Sequence, residues 1–562
     1  MNMHQNRARR GHALTATAVA VLGLCAANSA QAYRFQTDGD WALNLDTSLQ
    51  YTLGVRAQER NDNIGNHPFY AEGDYKFDKG DLVTNRIQAI FELQGVYKTD
   101  TGFRLSASGW KDFAYNDEVK TNPAPGYNTF LSYSTGKYTS TTKKYHIEGG
   151  ELLDAFVFAN TRVGDTKLYT KLGRFTQYWG NAFLFGFSNI AYSQHPIDYI
   201  KGFSQPGSEV KELFLPRTQA MVTAELSPEL SVSGQYFFEF RPNRYPEGGT
   251  YLGPFDILYG GPDTSGALGG TGGRKDEPKE NNQNFGLKVT WSPEWAGGDM
   301  GFYYRQMDEV QPWPLADYIG AAGNVHVTYA QKTKLLGFSY ERSFGTVSTG
   351  FELNYRKDTA LSSALSNGGI TPEGARGDIV NMIANAFVQL GTTPLWDTGI
   401  LIAEATYTQL TSVTKNGNEG MYNGVGYAAC LKSDNSPGGS KWDGCATKQA
   451  LAVGFVFEPQ WLQVFPGWDL SMPSSLTLGL KGNPAYAAGS FYAQGTNIHS
   501  IGIKGTYQAG SSVSLSYNGY NWRHNTPTIN GLGQMAYPGY GGNGPVALND
   551  KGWIQLTFKT SF

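Results

Sequence analysis

The side chains that could do chemistry in this 562-residue chain are few and scattered. Past the N-terminal segment the histidines are His67, His146, His195, His326, His499 and His524. They stand at no metal-ligand spacing, and no HExxH occurs. The stretch "GGTGG" at 269–273 lacks the following Lys-Ser/Thr of a phosphate-binding loop and reads as a flexible loop. Arg376-Gly377-Asp378 spells an adhesion tripeptide, but a three-residue match arises often by chance. No set of Ser, His and Asp is marked out for hydrolysis. An enzyme is therefore not expected, and no cofactor or metal is called for. The remaining chemistry belongs to Cys430 and Cys445, which bracket "LKSDNSPGGSKWDG". In an oxidising compartment such a pair is expected to bond, which would contribute about 3 kcal/mol to the loop that holds it.

The N-terminus supplies that compartment. A basic segment with Arg7, Arg9 and Arg10 precedes a mostly apolar run from Ala13 to Ala27, and Ala30-Gln31-Ala32 is a small-x-small cleavage pattern. This is a secretory signal peptide, residues 1–32, too short to be a spanning helix. Arg9-Arg10 reads as an ordinary basic n-region rather than a twin-arginine signal. Cys25 is no lipoprotein site, because bulky Leu24 stands where a small residue is needed. Cleavage leaves 42 basic against 48 acidic residues, a net charge of −6, which argues against nucleic acid as a partner. No other long apolar run follows, so the mature chain 33–562 is either a large secreted β protein or an outer-membrane barrel, which hides its hydrophobicity by alternation.

The elements that must position these residues have a period of two. In "ALNLDTSLQYTLGVR", Leu43, Leu45, Leu49, Tyr51, Leu53 and Val55 share one face, while Asn44, Asp46, Ser48, Gln50 and Arg56 share the other. In "NRIQAIFELQGVYK", Ile87, Ala89, Phe91, Leu93 and Tyr97 oppose Arg86, Gln88, Glu92, Gln94 and Lys98. In "TVSTGFELNYR", Val347, Phe351, Leu353 and Tyr355 oppose Ser348, Glu352, Asn354 and Arg356. An Arg on a barrel's lipid face costs about 2–4 kcal/mol at the midplane. Arg56, Arg86, Glu92, Arg104, Glu352 and Arg356 are therefore expected in a polar lumen of mixed charge. The last strand, "WIQLTFKTSF", puts Ile554, Leu556, Phe558 and Phe562 on one face and stops without a tail. That makes sense if it closes a barrel against lipid, with Phe562 as the signal read by the barrel-assembly machinery.

Connections alternate between short and long, as periplasmic turns and extracellular loops do. The pattern predicts an all-β transmembrane antiparallel barrel of eighteen strands, from 40–57 to 551–562, with both termini on the periplasmic side. Sixteen is the alternative count, because 469–485 contains Pro473. The third long loop, 178–215, is rich in aromatic residues. It is either a folded surface loop or one folded into the lumen. In the second case Phe183, Phe185, Phe187 and Tyr192 would form an apolar constriction.

The segments "GRFTQYWGNAFLF", "HPIDYIKGFSQPGSEVKELFLP" and "YFFEFRPNRYPEGGTYLG" resemble the family known as domain of unknown function 1302. So do "LDTSLQYTLGVRAQERN", "FDKGDLVTNR" and "GFRLSASGWKDFAYND" near the N-terminus. His195 stands where the family pattern has asparagine. The resemblance covers most of the mature chain and is most specific over 40–255. It implies a proteobacterial outer-membrane barrel surrounded by lipid and lipopolysaccharide. It also implies a periplasmic companion protein and an inner-membrane exporter of the resistance-nodulation-division type. Together they suggest a trans-envelope route for hydrophobic molecules. The expected function is an outer-membrane channel or transporter for hydrophobic or amphiphilic small molecules. The alternatives are a general or polar-solute porin, favoured by the charged lumen, and a non-transporting structural or adhesin barrel, favoured by the long loops.

Overall fold

The computed structural model describes residues 33–35, 39–127, 132–204, 213–264, 283–313, 318–319, 325–364, 373–417, 421–508, 510–538 and 543–562. The signal segment 1–32 and the "GGTGG" stretch lie outside them. Eighteen antiparallel strands form one closed wall: β1 (Trp41–Arg56), β2 (Leu82–Tyr97), β3 (Thr101–Asp112), β4 (Glu148–Val163), β5 (Thr166–Phe175), β6 (Arg217–Ser227), β7 (Leu230–Phe237), β8 (Phe285–Trp291) and β9 (Asp299–Met307) make the first half. The second half is β10 (Thr333–Phe344), β11 (Val347–Ala360), β12 (Arg376–Leu390), β13 (Thr398–Lys415), β14 (Gln449–Phe465), β15 (Trp468–Ser471 with Ser474–Lys481), β16 (Asn497–Tyr507), β17 (Ser511–Asn521) and β18 (Trp553–Ser561).

Each strand pairs with its neighbours in sequence, and β18 returns to β1 over Ser48↔Ser561 to Arg56↔Trp553. Phe562 completes the seam. Its N–H donates to Thr47 O at 2.7 Å, and its carbonyl accepts from Thr47 N at 3.0 Å. Closure gives each strand a paired neighbour on both sides along the shared length, as a wall in hydrocarbon requires.

The alternation decides which face is which. Arg56, Glu352 and Arg356 are buried inside, while Ile87, Phe91, Val157, Leu172, Val222, Ile503 and Leu556 are exposed outside. Near the short turns the outer face carries rings. Trp41 packs on Tyr97 with centroids 5.3 Å apart, Trp468 on Tyr507 at 5.3 Å, and Trp291 on Trp295 at 5.8 Å. Aromatic rings at one rim of an apolar band mark the membrane interface.

Two strands depart from the sequence reading without changing the count. Pro473 divides β15 but does not end it, since both pieces pair with β14 and with β16. The alternative of sixteen strands is thereby excluded. β14 runs on through Pro459 to Phe465, because Pro459 stays in register opposite Gly399 and accepts from Met472 N at 3.1 Å. The proline loses one donor yet keeps its acceptor, so the strand passes through it.

Candidate functional site: a lumenal loop and an aromatic tract

At Phe175 the chain leaves the wall and turns into the barrel. An irregular backbone buried there needs partners for its N–H and C=O groups. The inward faces of β9 to β13 supply them. Glu352 on β11 accepts from Asn181 N at 2.5 Å and Ala182 N at 2.9 Å through Oε1, and from Ile190 N at 2.8 Å through Oε2. Glu404 on β13 accepts from Phe183 N at 2.6 Å, Leu184 N at 2.9 Å and Phe185 N at 2.8 Å. Two carboxylates thus hold six loop amides. Arginines take the carbonyls: Arg305 on β9 donates to Ile190 O at 2.8 Å and Tyr192 O at 2.7 Å, and Arg356 donates to Phe187 O at 2.8 Å. Asn354 and Asn385 donate to Ser188 O and Asn181 O.

The residues singled out from the sequence have divergent positions within this arrangement. Phe185 and Phe187 are buried, the first edge-on to Tyr492 at 5.0 Å. Tyr192 is an anchor. Its hydroxyl donates to Glu309 at 2.5 Å, and the Arg356 guanidinium lies 4.1 Å from its ring centroid. Phe183 is 51% exposed and points towards Phe387. There it borders a vestibule of about 410 Å³ lined also by Glu341, Arg342 and Ser348, next to the periplasmic turns.

Arg56 is fully buried and pairs with Asp74 at 2.9 Å and Asp550 at 3.2 Å, tying two loops to the wall. Arg86 donates to Tyr145 O at 3.3 Å and lies 5.1 Å from the Trp110 ring. Glu92 and Arg104 form an ion pair that extends to Asp154 at 3.4 Å and stays partly exposed in the lumen. Four of the six predicted charges (Arg56, Arg86, Glu352 and Arg356) therefore hold loop backbone, and one pair faces open space.

A second set of rings is built mostly from loop residues that strand patterning does not reach, with Tyr520 on β17 at its end. Tyr259 stacks on Tyr245 at 4.8 Å, Tyr245 on Tyr199 at 4.7 Å, Tyr199 on Phe187 at 5.7 Å, and Phe187 on Phe491 at 6.1 Å. Phe491 continues to Phe203 at 6.1 Å, which meets Tyr520 edge-on at 6.3 Å. Tyr199, Phe203, Tyr259 and Phe491 are only partly buried and Tyr245, Phe187 and Tyr520 are buried among them, so the rings form a continuous stack inside the wall with four members that keep an exposed face. Phe203, Tyr259 and Phe491 come from three different loops. The sequence signal they leave is aromatic richness in long connections, without any spacing rule.

The long loops also hold one another. Cys430 and Cys445 are joined in a disulfide, and Asn483 clamps that loop by donating to Lys441 O at 2.7 Å and Cys445 O at 2.9 Å. Across the lumen, Asp256 accepts from Glu72 N at 2.8 Å and Gly73 N at 2.9 Å. Burial pushes the Asp256 carboxyl up to about 7. It pushes the neighbouring Glu72 carboxyl up as well, with the Asp256 charge adding to the effect.

A closed wall of eighteen strands, an apolar outer band with an aromatic rim and a loop folded into a polar interior define an outer-membrane-type β-barrel. Within that class the chain belongs to the family described as protein of unknown function DUF1302, whose model matches residues 13–562. No curated protein matches it. Among solved structures it is similar to OpdK of Pseudomonas aeruginosa with vanillate. That match has 9% identity and a TM-score of 0.40, over 92% of this chain and 98% of that one. It is similar to P. aeruginosa OccD3 (OpdP) at 13% identity and a TM-score of 0.41, over 95% and 94%. Acinetobacter baumannii OccAB4 matches at 9% identity and a TM-score of 0.40, over 94% and 99%.

Proposed function

We propose that the protein is an outer-membrane channel that passes hydrophobic or amphiphilic small molecules as one segment of a trans-envelope route. The observation that carries this reading is the ring track from Tyr259 through Tyr199 and Phe491 to Tyr520. A hydrated pore for polar solutes gains nothing from half-buried aromatic faces, which favour apolar bodies. The loop clamped by Glu352 and Glu404 narrows the lumen, and Phe183 marks its periplasmic side. No covalent step is required, so the reading is not that of an enzyme. Residues 1–32 are removed on export. Around the mature barrel lie lipid and lipopolysaccharide. The periplasmic companion and the inner-membrane exporter would meet its lower mouth.

A polar-solute porin is the second reading, favoured by the partly exposed Glu92–Arg104–Asp154 group. An adhesin reading based on Arg376-Gly377-Asp378 loses its footing, because Arg376 is buried and donates to Gln331 O at 2.7 Å. The two channel readings separate in intact Gram-negative cells with and without the protein. The expected result is faster equilibration of the hydrophobic fluorophore N-phenylnaphthylamine with unchanged entry of the polar β-lactam nitrocefin. Faster nitrocefin entry alone would replace this reading with the porin.

A further inference from the structure

The wall is uneven in height. β4 has 16 residues, whereas β5, β6, β7 and β8 have 10, 11, 8 and 7. Tight turns join β4 to β5 and β6 to β7 on the periplasmic side, so the shortfall lies at the extracellular end. Pairing of β4 with β5 begins only at Ala155↔Arg174, which leaves Glu148–Asp154 standing above the end of β5. A ten-residue strand rising about 3.3 Å per residue and tilted about 40° climbs roughly 25 Å, the height of the apolar band. The dip therefore begins at the outer edge of the hydrocarbon.

A cavity of about 440 Å³ occupies the dip. Its outer lip is formed by Gly150, Leu152 and Arg174. By register these belong to the outward face: Leu152 lies opposite Ala107, Arg174 opposite Ala155, and Leu172 and Val157 on the same face are exposed. Its inner end is formed by Tyr245 and Tyr259, the first two rings of the aromatic track. One space thus touches both the lipid side of the wall and the apolar route inside. Four cations, Lys144, Arg174, Arg241 and Arg244, line it against two carboxylates, Glu151 and Glu247. Glu151 fixes Arg241 at 3.0 Å and Arg244 at 2.8 Å, Asp198 holds Arg244 at 2.6 Å and Glu239 lies 4.0 Å from Arg174, so the guanidiniums are held in place by carboxylates behind them.

We propose that this breach is a lateral portal through which an amphiphile with a carboxylate head passes between the outer leaflet and the lumen. The head would rest among the arginines and the tail would lie along Tyr259, Tyr245 and Tyr199. The proposal rests on the hydrophobic-channel reading and adds where the molecule crosses the wall. A pore used only along its axis needs no connection between outward-facing Leu152 and lumenal Tyr259.

The test fills the portal from its lipid side with Leu152→Trp and Arg174→Trp together, and uses Val222→Trp on the exposed face of β6 as a control. Heat-modifiability confirms that each barrel is folded. Uptake of a fluorescent long-chain fatty acid is followed in whole cells. The expected result is a fall to the background of cells lacking the protein in the filled variant, with the control equal to the unaltered barrel. Equal uptake by the filled variant would overturn the portal and leave the hydrophobic channel standing. No uptake by the unaltered barrel, together with no gain in N-phenylnaphthylamine entry, would overturn both. As a second readout, a diazirine-bearing palmitate photoactivated in isolated outer membranes should label peptides containing Tyr245 or Tyr259. Labelling confined to other lumenal peptides would overturn the portal.

Discussion

At the scale of single residues, the inward-folded loop depends on two carboxylates that bind backbone rather than cations. Glu352 and Glu404 each collect three amide N–H groups from the same loop. A hydrogen bond to a charged group contributes about 1.5–3 kcal/mol, and a buried donor left without its acceptor costs a similar amount. Glutamine keeps the shape but exchanges one acceptor for a donor that faces the loop's own donors. Glu352→Gln with Glu404→Gln should therefore loosen the loop by several kcal/mol while leaving the strands paired. Limited proteolysis should then cut between residues 181 and 190, and planar-bilayer conductance should rise. Glu352 is legible as lumenal from alternation in "TVSTGFELNYR". Glu404 is equally legible in "ILIAEATYTQL", as a lone charge on the polar face of an apolar strand, although it is absent from the residues singled out there. The loop amides that both carboxylates hold are not legible, because the partners lie more than 150 residues away in the chain and only the closed wall brings them together.

At the scale of elements, strands and loops differ in how far the sequence constrains them. A strand facing lipid on one side and water on the other must alternate, so strand existence, order and facing are readable, and even Pro459 and Pro473 shift only local ends. Loops obey no such period, so the packing of Phe203, Tyr259 and Phe491 emerges only in three dimensions. Loop pairing is also where pH should act. Asp256, held up to about 7 by burial, joins the helix at Glu72 and Gly73 to the loop around 256, with Lys551 opposing the shift and Asp74 adding to it. An unfolded Asp titrates near about 3.9. Between that value and about 7 the docked loops bind more protons than the released ones, so docking weakens as pH rises through this window and levels off above it. Protection factors at residues 71–76, each referred to the intrinsic exchange rate at its own pH, should be lower at pH 8 than at pH 5, and Asp256→Asn should flatten the difference. The disulfide acts on a separate element. Replacing Cys430 and Cys445 by serine together should cost the 421–448 loop about 3 kcal/mol. Its amides should then exchange faster, while those of β13 and β14 remain as protected as before.

At the scale of the whole molecule, an eighteen-stranded wall is wide enough for a water-filled channel, and this one is largely filled by its own loops. The segment 178–194 is the central piece of that filling. It buries Trp179, Phe185, Phe187, Ile190 and Tyr192 among residues from β9 to β14 and from the long loops. Those side chains would form a large exposed apolar patch on a surface loop, and folding inward hides it. The wall does not depend on the segment, because strand pairing is continuous around the barrel and closes at Phe562. Removing residues 183–193 should therefore leave a heat-modifiable barrel but empty its centre. Glu352, Glu404, Arg305 and Arg356 would then face water that can solvate them, so their charges would no longer need loop partners. The expected result in a planar bilayer is a large rise in unitary conductance over the intact barrel, with cation and anion passage both increased because carboxylates and guanidiniums are exposed together. Unchanged conductance would mean that another loop, such as the disulfide-bonded one, blocks the pore. A second deletion within 421–448, combined with the first, would test that directly.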